Sequence, residues 1–328
     1  MLKRTQQLAP SDDSSCQWPR RSVPLIVISL QVLMALRASP QLPQPPPQVN
    51  RAQSNACSMP GLAQNAPQGL KDEELLGAYN AQAALVHSLQ ASAIVRAKAG
   101  SEYGVKVQEA QPSLAQLKFL APASLRMTGV VPFAGRRTFD LSSDGREFRL
   151  LVPDGKFMRF YVGPVDAPPT SANPQENLRP QPIVESLHWL QAKLRNSTKS
   201  PQSKGRGTRT IEAELIGLKQ GGKTAVEIEF DLRSGAVSRL TYLDAAAKPV
   251  TEIQYSNWQR IPTGAEGSGP VCFPKRIFIT EPQHNLQLDM KIVSGQINAP
   301  VSPSQFQLIP PRGIAVKRLA APSGSANR

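Results

Sequence analysis

Aromatic residues, cysteines and histidines are scarce in this sequence of 328 residues, at 5%, 3 and 3 respectively. Three cysteines are too few for a fold built on disulfides, and the histidines and cysteines do not have the spacing of a zinc site. The sequence also lacks the glycine period of collagen, the heptads of a coiled coil and the repeated apolar runs of a polytopic membrane protein. Hydrophobic residues still make up 40% of the chain, so part of it can bury a core.

Acidic residues are outnumbered. The chain has 38 lysines and arginines against 24 acidic residues, a formal net charge of +14, which indicates an anionic partner. Six basic residues and no acidic one fall between Lys193 and Arg209. We interpret residues 197–209 as a mobile basic loop near an anionic membrane surface. Basic residues elsewhere lack the stacking aromatics of an RNA-binding sheet, so no nucleic-acid partner is predicted.

The N-terminal segment has the pattern of a secretory signal. Basic residues precede the apolar run Val23–Leu36. As a helix, this run would span only ~21 Å, less than the ~30 Å of a hydrocarbon core. We therefore predict export, with a signal-like segment at residues 1–38. Residues 39–69, rich in Pro and Gln, are predicted to be a disordered tether.

Two interpretations of Cys57 stay open. It stands just ahead of the predicted folded region, so it is a candidate for lipidation as the first residue of a mature lipoprotein, although the three residues before it lack the expected leucine. In an oxidising compartment it is also a candidate for a disulfide with Cys272. Cys16 would be removed with the signal.

Periodicity divides residues 70–319 into two helices and a series of strands, followed by a tail at residues 320–328. Apolar residues up to Leu89 recur at three and four positions and predict a helix of about 18 residues from Leu70. A second apolar stripe, from Pro182 to Leu194, predicts another helix. The remaining segments alternate apolar and polar residues. They predict an α+β domain with one antiparallel sheet, whose apolar face the two helices cover.

The motifs for chemistry are weak. Residues Gly217–Thr224 match the phosphate-loop pattern, but they precede a two-residue period and not a helix, which indicates a hairpin turn. His87, His188 and His284 share no metal-ligand spacing. We therefore predict neither enzymatic activity, nor a cofactor, nor a metal.

The order of the elements resembles that of the bacterial lipoprotein-localisation proteins, and the outer-membrane receptor (LolB-like) type more than the soluble carrier (LolA-like) type. The resemblance extends from Leu70 to Leu319, about three quarters of the chain. It is carried by the opening helix and by segments Ser124–Gly135, Ser143–Gly145, Pro182–Leu190, Leu240–Leu243, Ile253–Trp258, Phe273–Ile279 and Leu286–Ile292. The chain departs from the family pattern in its missing lipobox, its basic insertion and its proline-rich end.

The resemblance implies an incomplete (half) antiparallel β-barrel, covered by a few α-helices, around an apolar cavity for lipoprotein acyl chains. It implies a non-enzymatic protein in the periplasm or at the inner face of the outer membrane, and we expect a monomer. Leu187, Trp189 and Leu190 would form a lid. The apolar strand residues expected to line the cavity are Val95, Leu117, Phe119, Leu125, Phe148, Leu150, Phe160, Ile228, Phe230, Leu240, Ile253, Ile279, Leu288 and Met290.

A loop at Val131, Pro132 and Phe133 occupies the position of the turn that faces the bilayer in receptor-type proteins. Phe133 stands where that turn has its apolar residue, and the alternative is that its ring folds back into the core. Two other functions stay open for the whole domain. One is an interaction module whose interior is filled by bulky aromatics, and the other is an envelope hydrolase in which two of the histidines converge on Asp or Ser.

Overall fold

All the strands that the structure describes join one sheet. The computed structural model describes residues 57, 70–99, 108–154, 157–167, 174–195, 207–216, 225–264 and 269–320. The strands are β1 Ser88–Ala99, β2 Gln108–Glu109, β3 Ser113–Leu120, β4 Ser124–Val130, β5 Arg137–Ser143, β6 Glu147–Asp154, β7 Phe157–Pro164, β8 Ala192–Leu194, β9 Thr208–Leu215, β10 Ala225–Asp231, β11 Val237–Leu243, β12 Pro249–Ile261, β13 Val271–Glu281, β14 Leu286–Ile297 and β15 Val316–Arg318.

Two α-helices accompany the sheet in these residues. Helix α1, Asp72–Ala83, begins with three acidic residues, which stabilise the positive end of the helix dipole. Helix α2, Pro180–Leu187, has proline in its first turn, where the missing N–H costs nothing. Short 3₁₀ helices lie at Pro174–Asn177, Pro282–His284 and Pro303–Phe306. Within the described residues, neither helix has the length and apolar character needed to cross a membrane.

The sheet is open and almost wholly antiparallel. Its strand order is β15-β7-β6-β5-β4-β3-β1-β14-β13-β12-β11-β10-β9-β8, with β2 paired to β1. Most paired strands are neighbours in the chain and run antiparallel. Two pairs join distant strands: β1 pairs antiparallel with β14, and β15 pairs in parallel with β7. The predicted antiparallel sheet with two helices is confirmed.

Most strands bury one face, as the two-residue period predicts, whereas β5 and β7 are buried on both faces and β15 is exposed. In β10, for example, Val226, Ile228 and Phe230 are buried and the acidic residues between them are half-buried. The buried faces of successive strands join with both helices in one hydrophobic cluster. We call this side of the sheet the inner face and the opposite side the outer face.

A separate, smaller cluster lies on the outer face of β6 and β7. It contains Leu151, Phe160, Val162 and Leu308. Leu308 comes from the segment that follows β14, residues 299–319, which we call the outer cover. This segment contributes β15 beside β7.

The helices are shorter than their apolar patterns predict. Helix α1 ends at Ala83, and Leu89 belongs to β1. Helix α2 ends at Leu187, and Leu194 belongs to β8. Both leucines keep helical spacing, but strand pairing decides their conformation. The predicted signal and tether lie outside the described residues except for Cys57, as do residues 196–206 of the basic segment, the phosphate-loop match and residues 321–328.

The end of the basic segment differs from the prediction of a mobile loop. Arg209 lies in β9, and its guanidinium donates to the carbonyl of Leu70 at 2.7 Å and pairs with Asp72 at 2.6 Å. This arginine therefore fixes the start of α1 to the sheet.

Candidate functional site

The inner face collects most of the predicted cavity residues. Thirteen of the fourteen belong to the inner cluster and are at most 4% exposed. Phe160 does not belong to this set, because it packs with Leu151, Val162 and Leu308 on the outer face. In β7 the alternation directs Tyr161 to the inner cluster instead. The three predicted lid residues also contact the inner cluster, with Leu187 and Trp189 buried and Leu190 half-buried.

The sheet curls around α2. At the N-terminal end of the helix, the guanidinium of Arg179 lies 5.0 Å from the ring centre of Phe148 in β6. Six residues later, the carbonyl of Glu185 accepts a hydrogen bond from Tyr242 of β11 at 3.4 Å. Eight strand spacings separate β6 from β11, which is about 38 Å in a flat sheet. The helix rises only about 9 Å between the two contacts, so the strands must bend towards it.

Residues 180–190, which we call the inner cover, are fastened at their C-terminal end by a cluster of aromatic rings. Trp189 stacks on Tyr79 of α1 with ring centres 5.3 Å apart. It also packs edge-on against Tyr255 and Trp258 of β12, at 5.2 and 5.8 Å. These rings fill the space between the two helices and the sheet.

Hydroxyl groups complete the fastening. Trp189 Nε1 donates to the Tyr255 hydroxyl at 2.9 Å, and that hydroxyl donates to the Ser186 carbonyl at 3.1 Å. The Tyr79 hydroxyl donates to the Leu190 carbonyl at 2.9 Å. Burial raises the pKa of Tyr255 well above its ordinary value, so its hydroxyl keeps the proton that it donates.

The N-terminal end of the inner cover is held by a buried arginine. Arg179 donates to the carbonyls of Ala167, Glu176 and Leu178 at 2.8 to 3.1 Å. Burial lowers the pKa of Arg179 to about 10, although the Glu281 carboxylate acts in the opposite direction. The side chain therefore stays charged at neutral pH, and its charge is compensated by carbonyl oxygens and by the Phe148 ring.

Only a narrow cleft lies at the seam between the two helices and β13. It has space for about 10 Å³, roughly that of one water molecule. Its lining includes Gln82 and Val86 from α1 and the following turn, Leu187 and Trp189 from the inner cover, and Phe273 from β13. At this seam the structure is closed.

Cys57 lies against the same part of the molecule. Its sulfur forms a disulfide with Cys272 of β13, and Gln82 of α1 donates to the Cys272 carbonyl at 2.7 Å. A sulfur in a disulfide cannot also carry a thioether-linked lipid. The structure therefore agrees with the interpretation that Cys57 forms a disulfide and not with the interpretation that it is lipidated.

Phe133 is fully exposed at the tip of the β4–β5 hairpin, with a relative exposure of 110%. Its ring does not fold back into the core. The backbone turns at Phe133 and Gly135, both with φ of +64°, while Val131 and Pro132 are half-buried. Arg136 and Arg137 follow the tip and are exposed.

A second exposed phenylalanine, Phe157, was not predicted. It begins β7 opposite Asp154 and is 76% exposed. Because β5 pairs antiparallel with β6, the β4–β5 turn and the start of β7 lie at the same end of the strands. The sequence signal was present as a phenylalanine two residues after Asp154-Gly155.

The histidines do not assemble a recognisable catalytic group in the described residues. His284 lies 3.8 Å from Glu281, while His188 packs against Phe119 with ring centres 5.8 Å apart. Among these residues, no three or more His, Cys, Asp or Glu side chains are grouped as metal ligands would be.

No protein-family model matches the sequence, and no curated protein matches it. Solved structures show a likeness at low identity. A domain from Vibrio parahaemolyticus, assigned to outer-membrane lipoprotein sorting, is 13% identical, with a TM-score of 0.43 over 71% of this chain and 95% of that one. A LolA superfamily protein from Nitrosomonas europaea is 10% identical, with a TM-score of 0.42 over 73% and 98%. A Desulfovibrio piger protein from a family of unknown function is 12% identical, with a TM-score of 0.42 over 71% of this chain and 95% of that one. Values this low assign neither family nor function.

Proposed function

We propose that this chain is a non-enzymatic protein of the bacterial envelope that binds lipoprotein acyl chains between the inner face of its sheet and the inner cover. The observation that carries the proposal is the curved apolar face, which is covered by α1 and by the inner cover. The resemblance in the order of elements leads to the same function. At the seam between the inner cover, α1 and β13, the described side chains leave space for about one water molecule.

The energetics favour an exchange of inner cover for acyl chain. Each methylene moved out of water is worth ~0.8 kcal/mol, so a chain of about fifteen methylenes gains ~12 kcal/mol on burial. Opening the cover breaks the four hydrogen bonds described above, at about 0.5–1.5 kcal/mol each. It also exposes the buried apolar side chains of the cover, which are Ile183, Val184, Leu187 and Trp189, at about 1.5–3 kcal/mol each. The gain is therefore of the size needed to displace the cover.

The end of the sheet that carries Phe133 and Phe157 supplies a means of docking on a membrane. Phe133 and Phe157 would enter the interface between lipid and water, while Arg136 and Arg137 would meet anionic headgroups. A cargo released at this end would pass directly into the bilayer. The proposed location is the inner face of the outer membrane or the periplasm, which the signal-like segment of the sequence supports.

Native mass spectrometry with a synthetic diacylated lipopeptide tests the binding site. We expect an adduct of one lipopeptide per chain. In the variant Leu288→Gln, which places an amide on the inner face, binding should weaken about tenfold or more. The matched control is Leu308→Gln on the outer face, where the same change in a buried leucine should leave binding unaltered. Absence of an adduct with the wild-type protein, or equal loss in both folded variants, would contradict the proposal.

Flotation with anionic vesicles tests whether the turn with Phe133 enters the membrane. Phe133→Ser should weaken vesicle binding about tenfold, because the burial of a phenylalanine ring is worth about 1.5–3 kcal/mol. The control is Ile309→Ser, which removes an apolar side chain that is 76% exposed and lies in the outer cover. Equal binding by all three proteins would show that the tip does not enter the membrane.

A second function is favoured by the aromatic filling of the interior. Tyr79, Tyr255 and Trp258 lie beneath the cover and pack against its Trp189. This aromatic filling is expected of an interaction module that keeps the fold and binds no lipid. In that case the lipopeptide gives no adduct, and pull-down from envelope extract recovers a protein partner that is lost with Phe133→Ser.

A further inference from the structure

A polar groove lies on the outer face of β1, β14, β13 and β12, opposite the inner cover. Its volume is about 500 Å³, and its lining includes Arg96, Ser256, Asn257, Arg276, Asp289 and Lys291. A volume of about 300–1,000 Å³ is typical of small-molecule sites. The groove has no part in acyl-chain binding, because its side chains point away from the inner cluster.

The strand register places these charges side by side. Arg96 of β1 lies opposite Asp289 of β14, and Lys291 of β14 lies opposite Arg276 of β13. The single carboxylate of the lining is already engaged, because Arg276 donates to both Asp289 oxygens at 3.0 Å. Three cations against one acid leave the groove with a net charge of +2.

Two of the cations have no partner among the residues that the structure describes. Neither Arg96 nor Lys291 makes a hydrogen bond or an ion pair there, and both side chains are exposed. Like charges directly opposite each other on neighbouring strands are unfavourable, and Lys291 lies opposite Arg276, whose charge Asp289 already offsets. A bound anion would offset the charges of Arg96 and Lys291.

The groups present suit phosphate. Arginine matches phosphate oxygens with two parallel N–H donors, and lysine contributes a compact charge. Ser256 and Asn257 add a hydroxyl and an amide at the β12 side of the groove. We propose that this groove binds a phosphate-bearing anion, with Arg96 and Lys291 as its charged contacts and Ser256 and Asn257 as neutral donors.

The same chemistry can come from a free phosphate compound or from a phospholipid headgroup, so the experiment has two arms. Inorganic pyrophosphate is titrated calorimetrically into the full chain, and phosphatidylglycerol vesicles are compared with phosphatidylcholine vesicles by flotation. The test variant is Arg96→Gln/Lys291→Gln. The matched control is Arg233→Gln/Lys248→Gln, which removes the same charge from two exposed residues in turns. The vesicle arm uses a Phe133→Ser background, so that Phe133 makes no contribution, and the other membrane contacts proposed above are the same in the test and control variants.

We expect the groove variant to lose affinity about tenfold or more for at least one probe, while the control stays within about twofold. Loss for pyrophosphate alone identifies a free phosphate compound, and loss for the vesicles, with or without pyrophosphate, identifies a headgroup. Equal losses of affinity in the groove and control variants would show that only the net charge of the protein matters, and would overturn the proposal. Failure of the wild-type groove to bind either probe would also overturn it. The lipopeptide adduct is unaffected in every case, so this proposal and the proposed function fail separately.

Discussion

The two faces of one sheet carry covers that are fastened by different means. The outer cover, residues 299–319, extends the sheet itself, since β15 pairs with β7 and Leu319 N donates to the Val162 carbonyl at 2.8 Å. Side chains of Arg126 and Ser142 also bond to its backbone carbonyls. The inner cover, residues 180–190, is held by ring packing and hydroxyl groups between elements that do not form a ladder with it.

Under the proposed binding of acyl chains, the difference predicts which cover moves. Release of the outer cover breaks backbone pairing, which leaves strand amides and carbonyls without partners. Release of the inner cover separates side chains and exposes an apolar face that an acyl chain can cover again. Local opening of this kind draws on regions with few backbone constraints, so we assign the movement to the inner cover.

The largest effect is expected from Trp189→Ala. Removal of this ring leaves a cavity among Tyr79, Tyr255 and Trp258 and should lower the free energy of unfolding by about 3–5 kcal/mol. It should also speed lipopeptide uptake, because the inner cover loses its main contact. The measurements are urea unfolding and the time course of fluorescent lipopeptide binding.

Phe306→Ala gives the comparison on the other face. Phe306 is 7% exposed in the outer cover, so its loss should destabilise the protein without a change in uptake rate. If uptake speeds up equally in both variants, general loosening explains the effect and the inner cover has no special role.

A somewhat smaller effect is expected for the disulfide, which joins the chain ahead of α1 to β13. Cys57→Ser should lower the free energy of unfolding by about 2–5 kcal/mol, since the bond spans a sequence separation of 215. Cys272→Ser and the double variant should behave alike, because each removes the same bond. Intact mass with and without reductant checks the pairing, and an acyl mass on Cys57 would refute it.

Tyr255→Phe should destabilise the inner cover less than Trp189→Ala does. It keeps the ring but removes the hydroxyl that joins Trp189 to Ser186, at a cost of about 1–2 kcal/mol in unfolding free energy. Uptake should again become faster. Ser238→Ala is the control, because its hydroxyl bonds only within the β10–β11 pair, and an equal rise in uptake there would count against the inner cover.

The smallest effect concerns pH. Burial lowers the pKa of His188 below its ordinary value of 6.5, and the nearby His87 lowers it further. The unfolded chain therefore takes up this proton at a higher pH than the folded one. The stability contributed by neutral His188 is complete above pH 6.5 and is lost as the pH falls from 6.5 through the folded pKa.

His188→Phe keeps a ring against Phe119 but cannot titrate, so this part of the acid destabilisation should disappear. Urea midpoints between pH 7 and pH 5 measure the difference, which should be small because it comes from one half-buried group. A slope that His188→Phe leaves unchanged would place the titration elsewhere.

The sequence predicts the faces of strands well where apolar and polar residues alternate. In β10 and β14 the period assigns Ile228, Phe230, Leu288 and Met290 to one side, because adjacent strand residues point in opposite directions. In β7 the run Phe160–Val162 is buried throughout, so alternation assigns no face, and Phe160 was placed on the wrong one.

Long-range pairing is beyond such local patterns. The outer groove depends on the register of β1 with β14, strands that are almost two hundred residues apart in the chain. The aromatic cluster likewise joins α1, the inner cover and β12. The residues of these groups are visible in the sequence, but their proximity is a property of the fold.

Hydrogen–deuterium exchange with and without the diacylated lipopeptide shows directly whether the inner cover moves. We expect faster exchange of α2 amides in the inner cover when lipopeptide binds, and unchanged exchange in β15 of the outer cover. Binding that leaves α2 unchanged, or that loosens both covers equally, would contradict the assignment of the inner cover as the moving part.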